Sequence, residues 1–176
     1  VMNISKFTQK SMEAVERCEK LAYEYGNQEI EQEHLLVALL HQPDGLIPKL
    51  IEKMEIQLTH FTNNAENRLA ARVKVSGGQV FIGKDLNQVL IHAEDEAKAL
   101  GDEYVSVEHL FLALLKYPNK AMKELWKEYG ITRDRFLTAL STVRGNQRVT
   151  TDNPEATYDT LEKYGAVIDN ELTVKR

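Results

Sequence analysis

Gly26 to Leu40 reads GNQEIEQEHLLVALL, and Gly101 to Leu115 reads GDEYVSVEHLFLALL. His34 and His109 stand 75 positions apart, and the same offset continues on both sides of the block. Pro43 falls on Pro118, Leu50 on Leu125, Ile56 on Ile131 and Phe61 on Phe136, while upstream Ala22 falls on Ala97 and Glu19 on Glu94. A fixed offset held over this distance is the signature of a duplicated structural unit. The units cover roughly residues 8–69 and 83–144.

Each unit reads as four helices. Leu86, Val89, Leu90, Ala93, Ala97 and Leu100 recur every three or four residues, which places them on one helical face; Val15, Cys18, Ala22 and Tyr25 hold that face in the first unit. Both first helices run to a glycine, Gly26 and Gly101, the residue that best tolerates a left-handed C-terminal cap. The second helices open with an apolar residue, a cap and a further apolar residue: Val105, Ser106 and Leu110, matched by Ile30, Glu31 and Leu35, with Glu31 the weaker cap. Ile131, Thr132 and Phe136 open the fourth helix of the second unit, and Phe7, Thr8 and Met12 open the first helix of the chain. Pro43 and Pro118 end the second helices, and Pro48 fits only a first helical turn. No alternating strand pattern stands out. The expected fold is all-α: a duplicated four-helix repeat forming one eight-helix body of pseudo-twofold symmetry.

Between the units, VKVSGGQVF (73–81) carries a Gly77-Gly78 break, and the inter-repeat loop is drawn over 73–83. From Gly145 the chain turns polar, so the domain is drawn over 2–144 and 145–176 is read as a linker. Val1 precedes Met2 and is left out of the reading.

Composition narrows the function classes. Acidic side chains outnumber basic ones, 27 to 22, for a net charge of −5, which offers no basic field to nucleic acid or anionic lipid. Leu35 to Leu40 is the longest strongly apolar run and is too short to span a bilayer, and the start shows no charged segment followed by an apolar one. Cys18 is the sole cysteine and excludes an intrachain disulfide, so a reducing cytoplasmic setting is expected. No phosphate loop is present: Gly77-Gly78 followed by Gly83-Lys84 lacks both the spacing and the hydroxyl for phosphate and Mg²⁺. Glu33-His34 and Glu108-His109 repeat a carboxylate–imidazole pair, and His41, His60 and His92 add imidazoles. Adjacent helical residues diverge by about 100°, so neither pair makes one ligand edge, and packing or capping near helix starts is the preferred account. Catalytic residues, cofactors and metals are therefore not expected in this chain.

The paired GN/GD…EHL(L/F)xALL blocks, the opening FTQKS and the duplicated four-helix unit resemble the Clp N-terminal repeat domain. The later stretch YDTLEKYG (158–165) is similar to the lead-in to the first AAA+ module of ClpB-type members, while AVIDNELTVKR after it departs from that pattern. The resemblance implies a substrate-binding N-domain of a hexameric disaggregase that works with a DnaK-type chaperone on unfolded or aggregated polypeptides. ATP and Mg²⁺ would belong to AAA+ modules outside this chain. It further implies a polar contact set of Thr8, Asp102 and Glu108, beside an apolar groove with Leu90 and Leu110. Each residue also has a plain structural reading: Thr8 as an N-cap, Asp102 in a turn, Glu108 in a helix's first turn, and the leucines as core. The alternative drawn from ClpC- and ClpA-like relatives is adaptor or phosphoarginine recognition, for which Thr8 and Glu33 are the matching pair. A third option is a scaffold that only packs against the ring, against which the long polar linker argues. Trp126 matches Ile51 and is expected in or near the core.

Overall fold

Capping chemistry sets where the helices start. In the computed structural model, which describes residues 4–155, a short 3-10 turn precedes α1 (Gln9–Tyr25). Thr8 caps α1 by accepting the Ser11 N–H, and Gly26 ends it at φ 71°. There follow β1 (Glu29–Ile30), α2 (Gln32–Leu40), α3 (Leu46–Lys53) and α4 (Leu58–Ala70). After the loop, β2 (Phe81–Ile82) leads into α5 (Lys84–Ala99), α6 (Val107–Lys116), α7 (Lys120–Tyr129) and α8 (Arg133–Arg144). Four helices on each side match the duplicated unit, and the fold is all-α as expected.

α2 and α6 are the central helices. Every residue of α2 is buried, as is all of α6 up to Leu114, and the two helices touch one another. Apolar positions all round a short helix leave no solvent face, so such a helix must be enclosed. α1 and α4 pack on α2, α5 packs on α6, and α3 and α7 bridge between the units. Trp126 is 7% exposed, stacks with Phe61, meets Phe111 at a tilt and donates its indole N–H to the Leu114 carbonyl at 3.1 Å, which makes it a core residue with its polar edge satisfied. Cys18 is buried, and burial pushes its thiol up to about 12, so it behaves as a small hydrophobe.

The capping boxes of α2 and α6 explain the repeated Glu-His pairs. His34 and His109 occupy the third helical position, and their Nδ1 atoms accept the Glu31 and Ser106 N–H groups at 2.8 and 2.9 Å. Glu31 forms a full box, so it is a better cap than its residue type promised.

Short strand pairings tie the two units together, where the sequence shows no strand signal. β1 and β2 pair in parallel with Ile30 opposite Ile82, and Phe7 forms a parallel bridge with Val105. These pairings are equivalent under the 75-residue offset: Phe7 matches Ile82, and Val105 matches Ile30. Each unit therefore lends the segment before its first helix to the other unit. Two residues are too few for alternation to register in a sequence.

The packed body also runs past Arg144, where the domain boundary was drawn. Val149 is fully buried, and Pro154 and Glu155 are buried as well. YDTLEKYG and the stretch after it lie outside the described residues.

Candidate functional site

The Phe7–Val105 bridge brings the starts of α1 and α6 side by side, with Thr8 N–H bonded to the Val105 carbonyl at 2.9 Å and Val105 N–H to the Lys6 carbonyl at 2.7 Å. Helix N-termini expose unpaired N–H groups and a positive dipole end, and here two of them meet. Around them lies a buried polar cluster from distant parts of the chain.

His109 organises one side of it. Its Nδ1 accepts from Ser106, so its Nε2 carries the proton and donates to Asp102 Oδ2 at 2.6 Å. Asp102 Oδ1 also accepts the Val149 N–H at 2.9 Å and an Arg144 guanidinium N–H. Burial alone would raise the Asp102 carboxyl, but the bonds from His109, Arg144 and Val149 together hold it below the usual carboxylate value. Arg144 reaches on to Glu108 Oε2 at 3.3 Å and donates its Nε–H to the Gln147 carbonyl at 2.8 Å. The cation thus joins two carboxylates whose side chains are fully buried. Glu108 Oε1 is buried and has no partner among the described residues.

Thr8 connects to the same cluster through Glu155. Its hydroxyl accepts the capping N–H from Ser11 at 3.2 Å and donates to Glu155 Oε2 at 2.9 Å. Burial pushes the Glu155 carboxyl up to about 7, the Glu108 carboxylate adds to that rise, and the Thr8 hydroxyl with the Glu155 and Val107 N–H groups opposes it. Thr8, Asp102 and Glu108 are therefore parts of one cluster, joined by Arg144 and Glu155.

Neither leucine reaches a surface. Leu90 is 1% exposed and Leu110 is fully buried, so the apolar groove expected from them is core, and their helical faces point inward between α5 and α6. Thr8 and Glu33 are not brought together either, because the strand exchange carries Thr8 to the second unit's helix start. Glu33 instead accepts from Arg72 at 2.8 Å and from Asn119 at 2.8 Å.

Glu33 belongs to the corresponding place in the first unit, where the starts of α2 and α5 meet. Glu31 Oε2 accepts the Gln32 N–H at 3.1 Å and Oε1 accepts the Asp85 N–H at 3.2 Å, so one carboxylate serves both helices. Burial raises it to about 7; the Gln32 N–H works against that, the neighbouring Asp85 and Glu29 charges add to it, and the Asp85 N–H again opposes. Gly83, the counterpart of Thr8, makes room for that carboxylate: a Cβ there would lie 2.0 Å from Glu31 Oε1. His34 sits behind, its Nε2 2.9 Å from Asn27 Oδ1, and burial with the Arg72 charge lowers it to about 4, so it stays neutral. In front opens a groove of about 780 Å³ bordered by Asn27, Glu33, Arg72, Phe81 and Asp85. Val73, Val75 and Phe81 at this side are 80%, 44% and 52% exposed.

Arg144, Glu155, Val149 and Arg72 were not singled out from the sequence. Arg144 reads as a basic last-turn residue and Glu155 as part of a polar tail, and nothing local marks their partners. No group of three or more His, Cys, Asp or Glu among the described residues is placed to hold a metal ion. No helix among them is long and apolar enough to cross a membrane.

Comparisons with known proteins agree with this architecture. The profile of the Clp repeat (R) N-terminal domain matches residues 6–129. The chain is 44% identical over 170 residues to the chaperone protein ClpB of Nitratidesulfovibrio vulgaris, and 39% identical over 169 residues to that of Bacillus cereus; each match covers 93% of this chain. It spans about a fifth of the length of these relatives. The Hsp104 N-terminal domain from Candida albicans superposes with a TM-score of 0.75 at 22% identity, covering 85% of this chain and 99% of that one. The ClpV1 N-terminal domain from E. coli gives 0.68 at 21%, covering 86% and 92%. A ClpV N-domain solved with a VipB peptide gives 0.65 at 20%, covering 86% and 91%.

Proposed function

The chain belongs to the Clp repeat (R) N-terminal domain family and resembles ClpB-type AAA+ chaperones, and from that premise we propose that it is their polypeptide-contacting domain. It would hold unfolded or aggregated chains weakly and pass them to the ATP-driven ring. The ring itself, its ATP and Mg²⁺, a hexameric assembly and a DnaK-type partner belong to the same proposal and lie outside this chain.

One observation carries the reading: Thr8, Asp102 and Glu108, which lie up to 100 residues apart, meet at a pair of helix starts beside a segment that is not helical. A set of acceptors and N–H donors at one place suits the backbone of an extended polypeptide. The open groove at the first unit, with Val73, Val75 and Phe81 on its border, offers the exposed apolar surface that Leu90 and Leu110 do not. The ClpV N-domain captured with a VipB peptide is a precedent for this fold holding a peptide. Weak contact suits the role, since several tethered copies raise the effective concentration without slowing release.

Amide shift mapping of the chain against reduced, alkylated lysozyme tests the reading. Shifts gathered at Gln9, Glu103 and Glu108, or along Val73 to Phe81, are expected. Absence of any shift at millimolar polypeptide would overturn it.

A further inference from the structure

The segment after α8 crosses the second unit's site from one side to the other. Val149, fully buried, gives its N–H to Asp102 Oδ1, and its carbonyl accepts the Glu103 N–H at 2.8 Å. Three residues on, the Asp152 carbonyl accepts the Gln9 N–H at 2.8 Å, and Asp152 Oδ2 lies 3.3 Å from Gln9 Nε2. Glu155 then reaches the Thr8 hydroxyl. The segment therefore begins on the turn before α6 and ends on the start of α1.

Comparison with the first unit explains why it ends on a carboxylate. There Glu31 serves the N–H groups of both helices from within α2's own cap. The equivalent residue in the second unit is Ser106, whose side chain is too short to span the two helix starts. Glu155 brings a carboxylate to that pair of helix starts from 49 residues further along the chain.

We propose that residues 146–155 are a displaceable strap that closes the Thr8–Asp102–Glu108 pocket, with the Glu155 carboxylate standing where Glu31 stands in the first unit. An incoming polypeptide must lift it, so strap and polypeptide compete for one place. This rests on the polypeptide-binding reading and adds its regulation.

The strap is held at points that can let go. At the edge of the body it makes one hydrogen bond to Glu103 and two to Gln9, and the side chains of Arg148, Thr151, Asp152 and Asn153 are exposed. Glu155 Oε1 and Glu108 Oε1 are both buried without partners among the described residues, which weakens the closed state from within. The charged group acting on Glu155 is the Glu108 carboxylate, which the Arg144 guanidinium links to Asp102 and, through Asp102, to the His109 imidazole. Because burial beside Glu108 holds the Glu155 carboxyl near 7, the closed strap keeps a proton that the open one releases. Closure is thus firmest below the ordinary glutamate value near 4.5 and loosens as pH rises to about 7.

The test compares the full chain with its Val149→Asp and Glu155→Ala variants, by amide exchange and by affinity for reduced, alkylated lysozyme. Val149→Asp should unprotect the Gln9 and Glu103 amides and tighten lysozyme binding about tenfold. Glu155→Ala, which leaves the helical core untouched, should act in the same direction and less strongly. Unchanged or weaker binding in variants whose Gln9 and Glu103 amides have opened would overturn the strap while leaving polypeptide binding intact. If neither the chain nor the variants bind lysozyme, the polypeptide-binding reading falls and the strap's role falls with it.

Discussion

The two helix-start pairs descend from one repeat, yet they solve the same electrostatic problem differently. Each places two N-termini together, and each receives a buried carboxylate raised to about 7. In the first unit the carboxylate is Glu31, local to its own helix, and Gly83 is bare so that it fits. In the second it is Glu155, delivered by a strap, and Thr8 keeps its side chain to receive it. The cations differ likewise: Arg72 is partly exposed above Glu29 and Glu33, whereas Arg144 is buried between Asp102 and Glu108. Local supply makes a self-contained site with an open groove before it, and supply from a distance makes a site that can be opened.

The largest break in this comparison is expected from removing the cations. Arg144→Ala leaves Asp102 and Glu108 facing each other in the interior, and loss of one partner of a buried pair costs about 3–5 kcal/mol. Arg72→Ala removes a partly solvated ion pair and should cost about 1 kcal/mol. Urea unfolding of the two variants measures the gap, and equal losses would mean the two sites are electrostatically alike.

pH separates the two carboxylates. A glutamate held near 7 when folded and near 4.5 when unfolded binds more protons in the folded state between those values. Its contribution is complete below about 4.5 and declines as pH rises to about 7, by up to about 3 kcal/mol. Asp102, held low, works the other way and loses its contribution as acid protonates it below its ordinary value. Glu31 belongs to a helix cap, so Glu31→Gln should flatten the pH dependence of global unfolding. Glu155→Gln should in addition flatten that of Gln9 and Glu103 exchange, which Glu31→Gln should leave unchanged. A flattened pH dependence of Gln9 and Glu103 exchange in Glu31→Gln would erase the distinction between a built-in carboxylate and a delivered one.

A third substitution sharpens the role of the bare glycine. Gly83→Ala forces the Glu31 carboxylate aside and costs about 1–3 kcal/mol through the lost cap and the crowding, although alanine is ordinarily no worse than glycine at φ −71°. In a Glu31→Ala background the same substitution should cost little if the carboxylate is what the glycine accommodates. A double-mutant cycle reads this directly.

Much of this architecture is legible in the sequence because it is written twice. The 75-residue offset carries the helix count, the caps and the core face, and Thr8, Asp102 and Glu108 stand out within the repeated blocks. Their partners do not, because Arg144 lies 36 and 42 residues from the carboxylates it joins, and Glu155 lies 147 from Thr8. Leu90 and Leu110 mislead for a different reason: helical periodicity identifies an apolar face but does not say whether that face meets a ligand or another helix. Thr8 and Glu33 share a unit in sequence and are parted by a crossing of two residues that leaves no pattern.

That crossing has a consequence for where such a fold comes from. A single unit on its own would have its leading segment and its second-helix start both unanswered, because each finds its match only in the other unit. Two copies of one short chain would answer both at once, each patch meeting its counterpart across a twofold axis, as isologous homodimers do. Joining both copies in one chain through Gly77-Gly78 makes the two matches within a single molecule, and the two sites then need not be identical: Glu31 with a bare Gly83 stands behind a groove at one, Glu155 with Thr8 at the other.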